Sequence, residues 1–274
     1  MALRTMLALV NGARDDLHIL DRAWDLAKRQ AAHLACLRFG PDLSSLRESS
    51  VLLPPESASQ SARSHFEDWC ARRTPFFAEQ PAGAPRASLD PHLAIESDAD
   101  EVAARMRLSD LVIMARPQGW LDDTHASLHS VLFEAGRPVL LIPPGGESPI
   151  ADKIVIAWNG SEQAARAVAF SLPLLAGASE IGIYDRAEPK DIRSGRGPAE
   201  LVEHLARHGL IATPLEGEHE SGLVAEDLLH ACRHCAADLL VMGGYTHGRM
   251  RELLLGGVTR QILAEATLPV LMVH

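Results

Sequence analysis

The sequence has few cysteines, and their scarcity limits the kinds of fold that it can adopt. Only four of its 274 residues are cysteine: Cys36, Cys70, Cys232 and Cys235. Small secreted proteins that depend on disulfides carry a dense cysteine framework, which four scattered residues in a chain of this length do not supply. We therefore expect reduced thiols. The apolar residues, 47% of the chain, must then build the core.

Positive charge is also in short supply. Lys and Arg number 26 against 36 Asp and Glu, so the formal net charge is −10, and no basic run is longer than two residues. Affinity for nucleic acid and for anionic membranes rests on clustered Lys and Arg. We expect neither nucleic acid nor a membrane surface among the partners.

Long apolar runs are absent as well. No stretch reaches the roughly 18 apolar residues that cross a bilayer. The opening segment MALRTMLALV (1–10) is too short in apolar residues for a signal peptide and is followed at once by NGARDD. These features predict a soluble, cytoplasmic protein. The length fits one large domain or two ordinary ones, and we favour two.

Two common catalytic signatures are missing too. The chain contains neither a GxSxG nucleophile elbow nor a Walker A loop. Ser161, in the sequence NGSE, is instead typical of a helix N-cap with Glu162 following it. Nothing in these motifs commits the chain to catalysis.

What the sequence does contain is a repeat. Three segments of the first half recur in the same order in the second half: MLALVNGARDD (6–16) as IVIAWNGSEQA (154–164), SDLVIMARP (109–117) as ADLLVMGGY (237–245), and VLFEAGRPVLLIP (131–143) as ILAEATLPVLMVH (262–274). Three matched blocks in one order indicate a duplication. The stretch PPGGESPIAD (143–152) separates the copies, and we predict domains at 1–145 and 151–274.

Each half alternates short β-branched runs with longer helical patterns, which is typical of βαβ units and a parallel sheet. Runs such as LLVMG (239–243) are apolar at successive positions, so helices should cover both faces of the sheet. We predict an α/β fold of two tandem doubly wound, Rossmann-like domains, each with a five-stranded parallel sheet and related by a pseudo-twofold axis. The predicted strands lie near 5–10, 34–39, 92–96, 110–115, 138–142, 153–158, 179–184, 210–216, 238–243 and 269–273, and the predicted helices of the second half near 162–175, 198–209, 222–236 and 257–267.

These features together resemble the universal stress protein family in its tandem two-domain form. The resemblance rests on an apolar strand followed by Asn-Gly-Ser (159–161), the strand ADLLVMG, a glycine loop, the turn LLLGG (253–257), a helix and PVLMV. It implies a stress-response or regulatory protein that is not an enzyme. It also implies that the domains associate through their last strands, here 138–143 and 269–274, and a homodimer is a further expectation.

Family members that bind ATP share a loop of the form G-x2-G-x9-G-[S/T]. Here Gly243 and Gly256 match the first and third glycines, whereas Thr246 takes the place of the second and Gly257 that of the Ser or Thr. The resemblance therefore implies ATP, AMP or another anionic small molecule in the second domain, where the first and fourth strands of an open sheet diverge. Backbone N–H groups and a helix N-terminus would hold the phosphate. The expected binding residues are Ala157, Asn159, Gly243, Gly244, Gly248, Gly256, Gly257, Val258 and Thr259.

Other interpretations of the same residues stay open. The glycine pairs could simply end a strand and open a helix. The loop could belong to a slow ATPase, although Glu252 is the sole carboxylate between positions 243 and 259. The protein could also be an interaction module without a nucleotide. In the first half, Ala115 and Arg116 replace the glycines, and Asp122 and Asp123 would repel phosphate, so we expect no ATP there.

The remaining Cys and His residues do not predict a metal site. Cys232 and Cys235 have zinc-like spacing, but no second ligand pair lies nearby, and helical periodicity places both on an apolar face with Leu228, Leu229 and Ala231. Free cysteines are commonly buried. The histidines at positions 125, 129, 219 and 247 lack a third ligand at fixed spacing, so solvated side chains are favoured.

Overall fold

The computed structural model describes residues 2–11, 15–38, 56–77, 86–95, 99–117, 128, 131–146, 149–185, 197–215, 222–244 and 257–274. Contacts divide the chain into two compact units, Ala2–Gly145 and Gly146–His274. None of the helices in the described ranges is long and apolar enough to cross a membrane.

The first unit is built on a parallel sheet. Its strands are β1 (Thr5–Val10), β2 (His33–Arg38), β3 (Ser88–Ile95), β4 (Leu111–Ala115) and β5 (Val139–Ile142). They lie in the order β3-β2-β1-β4-β5. Its helices include α1 (Asp16–Gln30), α2 (Glu56–Ala71) and α3 (Ala99–Arg107), with a short 3-10 turn at Thr74–Phe76, and residues 131–134 are helical as well. The first and fourth strands are therefore neighbours in this sheet.

The second unit repeats this order of strands. Its strands are β6 (Lys153–Trp158), β7 (Glu180–Asp185), β8 (Thr213–Pro214), β9 (Leu239–Gly243) and β10 (Val270–Val273), in the order β10-β9-β6-β7-β8. Its helices are α4 (Glu162–Leu175), α5 (Pro198–Arg207), α6 (Val224–His234) and α7 (Gly257–Glu265). The predicted α/β fold with parallel, doubly wound sheets is thus confirmed in each unit.

Burial along the strands follows their position in the sheet. Every residue of β5 and β10 is buried, as the continuous apolar runs predict for strands that are covered on both faces.

Two predicted strands have different bounds in the structure. The strand predicted at 210–216 is too long, because Ile211 is 90% exposed and pairing is limited to Thr213–Pro214 at the edge. The strand predicted at 92–96 begins earlier, at Ser88, and its edge position in this unit tolerates Pro91.

One aspartate in each unit fastens the start of the central strand. The Asp110 Oδ2 atom accepts the backbone N–H of Thr5 at 3.0 Å. In the second unit, Asp238 accepts the backbone N–H of Asp152 at 2.9 Å and that of Lys153 at 3.2 Å. The backbone N–H of each aspartate donates in return, to Thr5 O at 2.8 Å and to Lys153 O at 2.9 Å. The duplicated sequence block therefore carries the same hydrogen bonds in both units.

Removing either carboxylate should destabilise the protein. Asp110→Ala and Asp238→Ala each leave strand-end N–H groups without an acceptor, which costs about 1–3 kcal/mol of unfolding free energy. Urea unfolding followed by circular dichroism measures this loss. Asp152→Ala is the matched control, because it removes a neighbouring carboxylate and keeps the backbone donors. A loss of equal size in that control would contradict the account.

The same carboxylate predicts a pH dependence. Burial raises the pKa of Asp238, and hydrogen bonds from backbone N–H groups offset part of that rise. A carboxyl with a raised pKa contributes stability that is full below its unfolded pKa and is lost as the pH rises through the folded value. The stability of the wild type relative to Asp238→Asn should therefore fall as the pH rises above about 4, the ordinary pKa of an aspartate in an unfolded chain. Urea titrations at several pH values test this, and a flat or rising difference would argue against it.

Candidate functional site

The carboxyl ends of β6 and β9 form the edge at which the sequence predicts a ligand. The two strands are parallel neighbours, and Ala157 lies in register with Met242. The connections from these strands leave in opposite directions, and this is the arrangement at which open α/β sheets commonly bind ligands. Asn159 directly follows β6 and Gly243 ends β9, so the fold brings the two predicted positions to the same edge.

The turn from β6 into α4 is held by its own side chains. The Asn159 Oδ1 atom accepts the backbone N–H of Ser161 at 3.1 Å, and Gly160 takes a positive φ of 69° that favours glycine. Ser161 Oγ accepts the N–H of Ala164 at 3.2 Å, which confirms the predicted N-cap. These bonds fix where helix α4 begins relative to the strand ends.

Gly243 has a packing role that the sequence left open. A Cβ at this position would lie 2.6 Å from the backbone nitrogen of Ala164 and 2.7 Å from the carbonyl carbon of Gln163. The first turn of α4 therefore rests on the end of β9, and only glycine fits there. The next residue, Gly244, donates its N–H to Val273 O at 2.7 Å and so continues the pairing with β10.

Gln163 is the residue at this edge that sequence reasoning missed. It lies in the first turn of α4, is only 6% exposed, and has its side-chain carbonyl oxygen Oε1 buried with no hydrogen-bond partner in the described structure. An unsatisfied buried acceptor costs about 1–3 kcal/mol. The available signal was a polar residue on the face of α4 that also carries Ala167 and Ser171, both buried.

Helix α7 supplies the last of the predicted positions. It begins at Gly257, where a Cβ would meet no atom within 4 Å, and Val258 beside it is exposed. Thr259 is buried. The helix has no acidic residue in its first turn. Gly248 and Gly256, together with Thr246, His247, Arg249, Arg251 and Glu252, lie outside the described residues.

The corresponding edge of the first unit has the same backbone plan. Ala115 ends β4, and Arg116 donates its backbone N–H to Ile142 O at 2.8 Å, as Gly244 does to Val273. Burial lowers the pKa of the Arg116 guanidinium. Asp122 and Asp123, which the sequence analysis expected to repel phosphate, lie outside the described residues.

The cysteines of α6 behave as apolar side chains. Cys232 is buried with Leu228 and Leu229, and burial raises the pKa of its thiol to about 12. Burial also raises the pKa of Cys235, which follows the helix. Raised pKa values keep both thiols protonated and therefore unreactive at neutral pH.

Within the described ranges no group of three or more His, Cys, Asp or Glu is placed to hold a metal ion. The histidines at 125, 129, 219 and 247 fall outside those ranges.

The contact at Gly243 generates a stability prediction with a built-in control. Gly243→Ala forces a Cβ into the backbone of α4, and we expect a loss of about 1–3 kcal/mol in unfolding free energy. Gly257→Ala meets open space and should be neutral or stabilise the protein by up to about 1 kcal/mol. Urea unfolding of both variants measures the difference. Equal effects of the two substitutions would be inconsistent with the close approach at Gly243.

Comparison with known proteins agrees with this fold. Residues 151–274 match the universal stress protein family. Universal stress protein Slr1230 from Synechocystis is 27% identical over 155 residues, which are 53% of this chain and 50% of that protein. The match thus spans about half the length of this relative.

Solved structures extend the likeness to both units. A universal stress protein from Archaeoglobus fulgidus superposes with a TM-score of 0.67 at 14% identity, covering 98% of this chain and 97% of that one. A functionally unknown protein from Pseudomonas aeruginosa gives a TM-score of 0.57 at 15% identity, with coverage of 99% and 92%. At such identities the likeness concerns the fold. The chain therefore contains a universal stress protein domain at residues 151–274 and shares the fold of a universal stress protein along nearly its whole length.

Proposed function

We propose that the protein acts in a stress response and that its second unit is regulatory, binding ATP, AMP or another small anionic molecule at the carboxyl ends of β6 and β9 without catalysing its conversion. The observation that carries the proposal is the buried Oε1 of Gln163, which lacks a hydrogen donor at that edge. A bound molecule with an amino or hydroxyl group supplies such a donor. The adenine amino group and the ribose hydroxyls of a nucleotide both have this chemistry.

The start of α7 supports the anionic part of the ligand. The first N–H groups of a helix have no partner within the helix, and they carry the positive end of its dipole. In α7 no acidic side chain competes for that end. Gly257 and Val258, both exposed residues at the start of this helix, are therefore placed where backbone N–H groups can bind phosphate or carboxylate oxygens.

The proposed site combines these two features. Gln163 faces the sugar or base, and the turn at Asn159 borders the same edge. The binding residues expected from the sequence remain part of the proposal: Ala157, Asn159, Gly243, Gly244, Gly248, Gly256, Gly257, Val258 and Thr259. Gly243 contributes by letting α4 approach, rather than by touching phosphate itself.

Calorimetric titration of the full chain with AMP, ATP and adenosine tests the proposal. We expect AMP and ATP to bind and adenosine to bind more weakly, because it lacks the phosphate. Gln163→Leu should weaken AMP binding about tenfold through the loss of one buried hydrogen bond. Ser171→Ala is the control, since it removes a buried hydrogen bond to Val168 O from the same helix at a distance from the crevice.

Three outcomes would count against the proposal. Absence of heat with every nucleotide at millimolar concentration would favour the interaction module, and steady release of phosphate from ATP would favour the ATPase. Equal weakening by Gln163→Leu and Ser171→Ala would remove Gln163 from the site.

A further inference from the structure

A buried arginine lies at the carboxyl edge of the first unit. Arg38 is the last residue of β2 and is only 8% exposed. In the described part of the chain, neither its Nε nor its Nη2 atom has a hydrogen-bond partner. A guanidinium stays protonated at all ordinary pH values, so it cannot lower this cost by losing its charge. A buried, unpaired cation is strongly unfavourable unless an anion accompanies it.

Arg38 lies at the carboxyl edge of its sheet, one strand away from the point between β1 and β4 where the chain connections diverge. It lies in register with Val10 on β1 and with Ile95 on β3, at the carboxyl ends of these parallel strands. Side chains alternate along a strand, so Arg38 shares a face with Cys36. The pKa of Cys36 is raised mainly by burial and further by Cys70 on α2, Asp90 on β3 and Asp16 on α1. Arg38 therefore lies on the face that these two helices cover.

The two unpartnered nitrogens lie on the same edge of the guanidinium. The N–H bonds at Nε and Nη2 run parallel and form a two-pronged fork. This fork matches two oxygens of a carboxylate or a phosphate, which accept both hydrogen bonds at once. A neutral acceptor such as a single carbonyl oxygen would satisfy only one prong.

The buried acidic residue of α1 holds the end of β1. Asp16 is buried at the start of this helix, and its Oδ1 accepts the backbone N–H of Asn11 at 3.2 Å, which ties the end of β1 to the helix. Arg116, half-buried after β4, brings a second positive charge to the same edge of the sheet. The described residues at this edge therefore favour an external anion.

We infer that the first unit binds a small molecule with a carboxylate or phosphate group, held by the Nε–Nη2 edge of Arg38. The site is independent of the one proposed for the second unit, and it does not require the glycine loop that the first half lacks. Its recognition element is a single buried fork, so the ligand class is a small oxyanion rather than an extended polyanion.

Thermal unfolding of the full chain tests the inference. Inorganic phosphate and malonate, each compared with chloride at equal ionic strength, should raise the unfolding midpoint of the wild type. Arg38→Met keeps the volume and removes the charge. It should abolish that response and, in buffer without phosphate or carboxylate, raise the midpoint by about 3 °C by removing the unpaired cation. Arg63→Met, on the exposed surface of α2, is the control and should behave as the wild type.

The same measurements distinguish a carboxylate ligand from a phosphate ligand. They also distinguish the site in the first unit from the site proposed in the second. A response to malonate alone identifies a carboxylate ligand, and a response to phosphate alone identifies a phosphate ligand. Arg38→Lys keeps the charge but not the fork, so its response should be at least several-fold weaker. Arg38→Met should still bind AMP as the wild type does. A response that persists in Arg38→Met, or a lower midpoint of this variant in the anion-free buffer, would overturn the inference.

Discussion

The close approach of helix α4 to the end of strand β9 sets the geometry of the candidate site. Gly243 has no side chain, so the backbone of Gln163 and Ala164 occupies the space that a Cβ would fill. This contact carries the Gln163 side chain into the interior, where its Oε1 lacks a donor. The Ser161 cap fixes where helix α4 begins. The position of Gln163 therefore depends on this cap and on the contact with Gly243. Packing thus buries a polar atom without a donor, and the proposed ligand is the group that would supply one.

The two units keep one scaffold and differ at the carboxyl edge of the sheet, which is the edge where we propose that ligands bind. Asp110 and Asp238 make equivalent hydrogen bonds at the start of the central strands, on the side of each sheet opposite to the ligand edge. At the ligand edge the residues diverge. The second strand of the first unit ends with the buried Arg38, whereas the second strand of the second unit ends with Asp185. Corresponding positions in the two units therefore carry opposite charges.

Much of the fold follows from the sequence, because long periodic segments with clear ends depend on local interactions. Strands at 5–10 and 153–158 and the helix at 162–175 were predicted with the bounds that the structure gives. The bounds of the edge strand at Thr213–Pro214 were not predicted, because they depend on pairing with the neighbouring strand β7 rather than on the local sequence pattern. Gln163 and Arg38 escaped prediction for a related reason. Polar side chains are usually exposed, and only tertiary packing decides that these two are buried.

The most direct test of the central claim is a crystal structure of the full chain grown with AMP. The account predicts a hydrogen-bond donor of the nucleotide at about 3 Å from Gln163 Oε1, with the phosphate at the N-terminus of α7. A structure in which a side chain of the protein fills the crevice beside Gly243 and donates to that oxygen would contradict it.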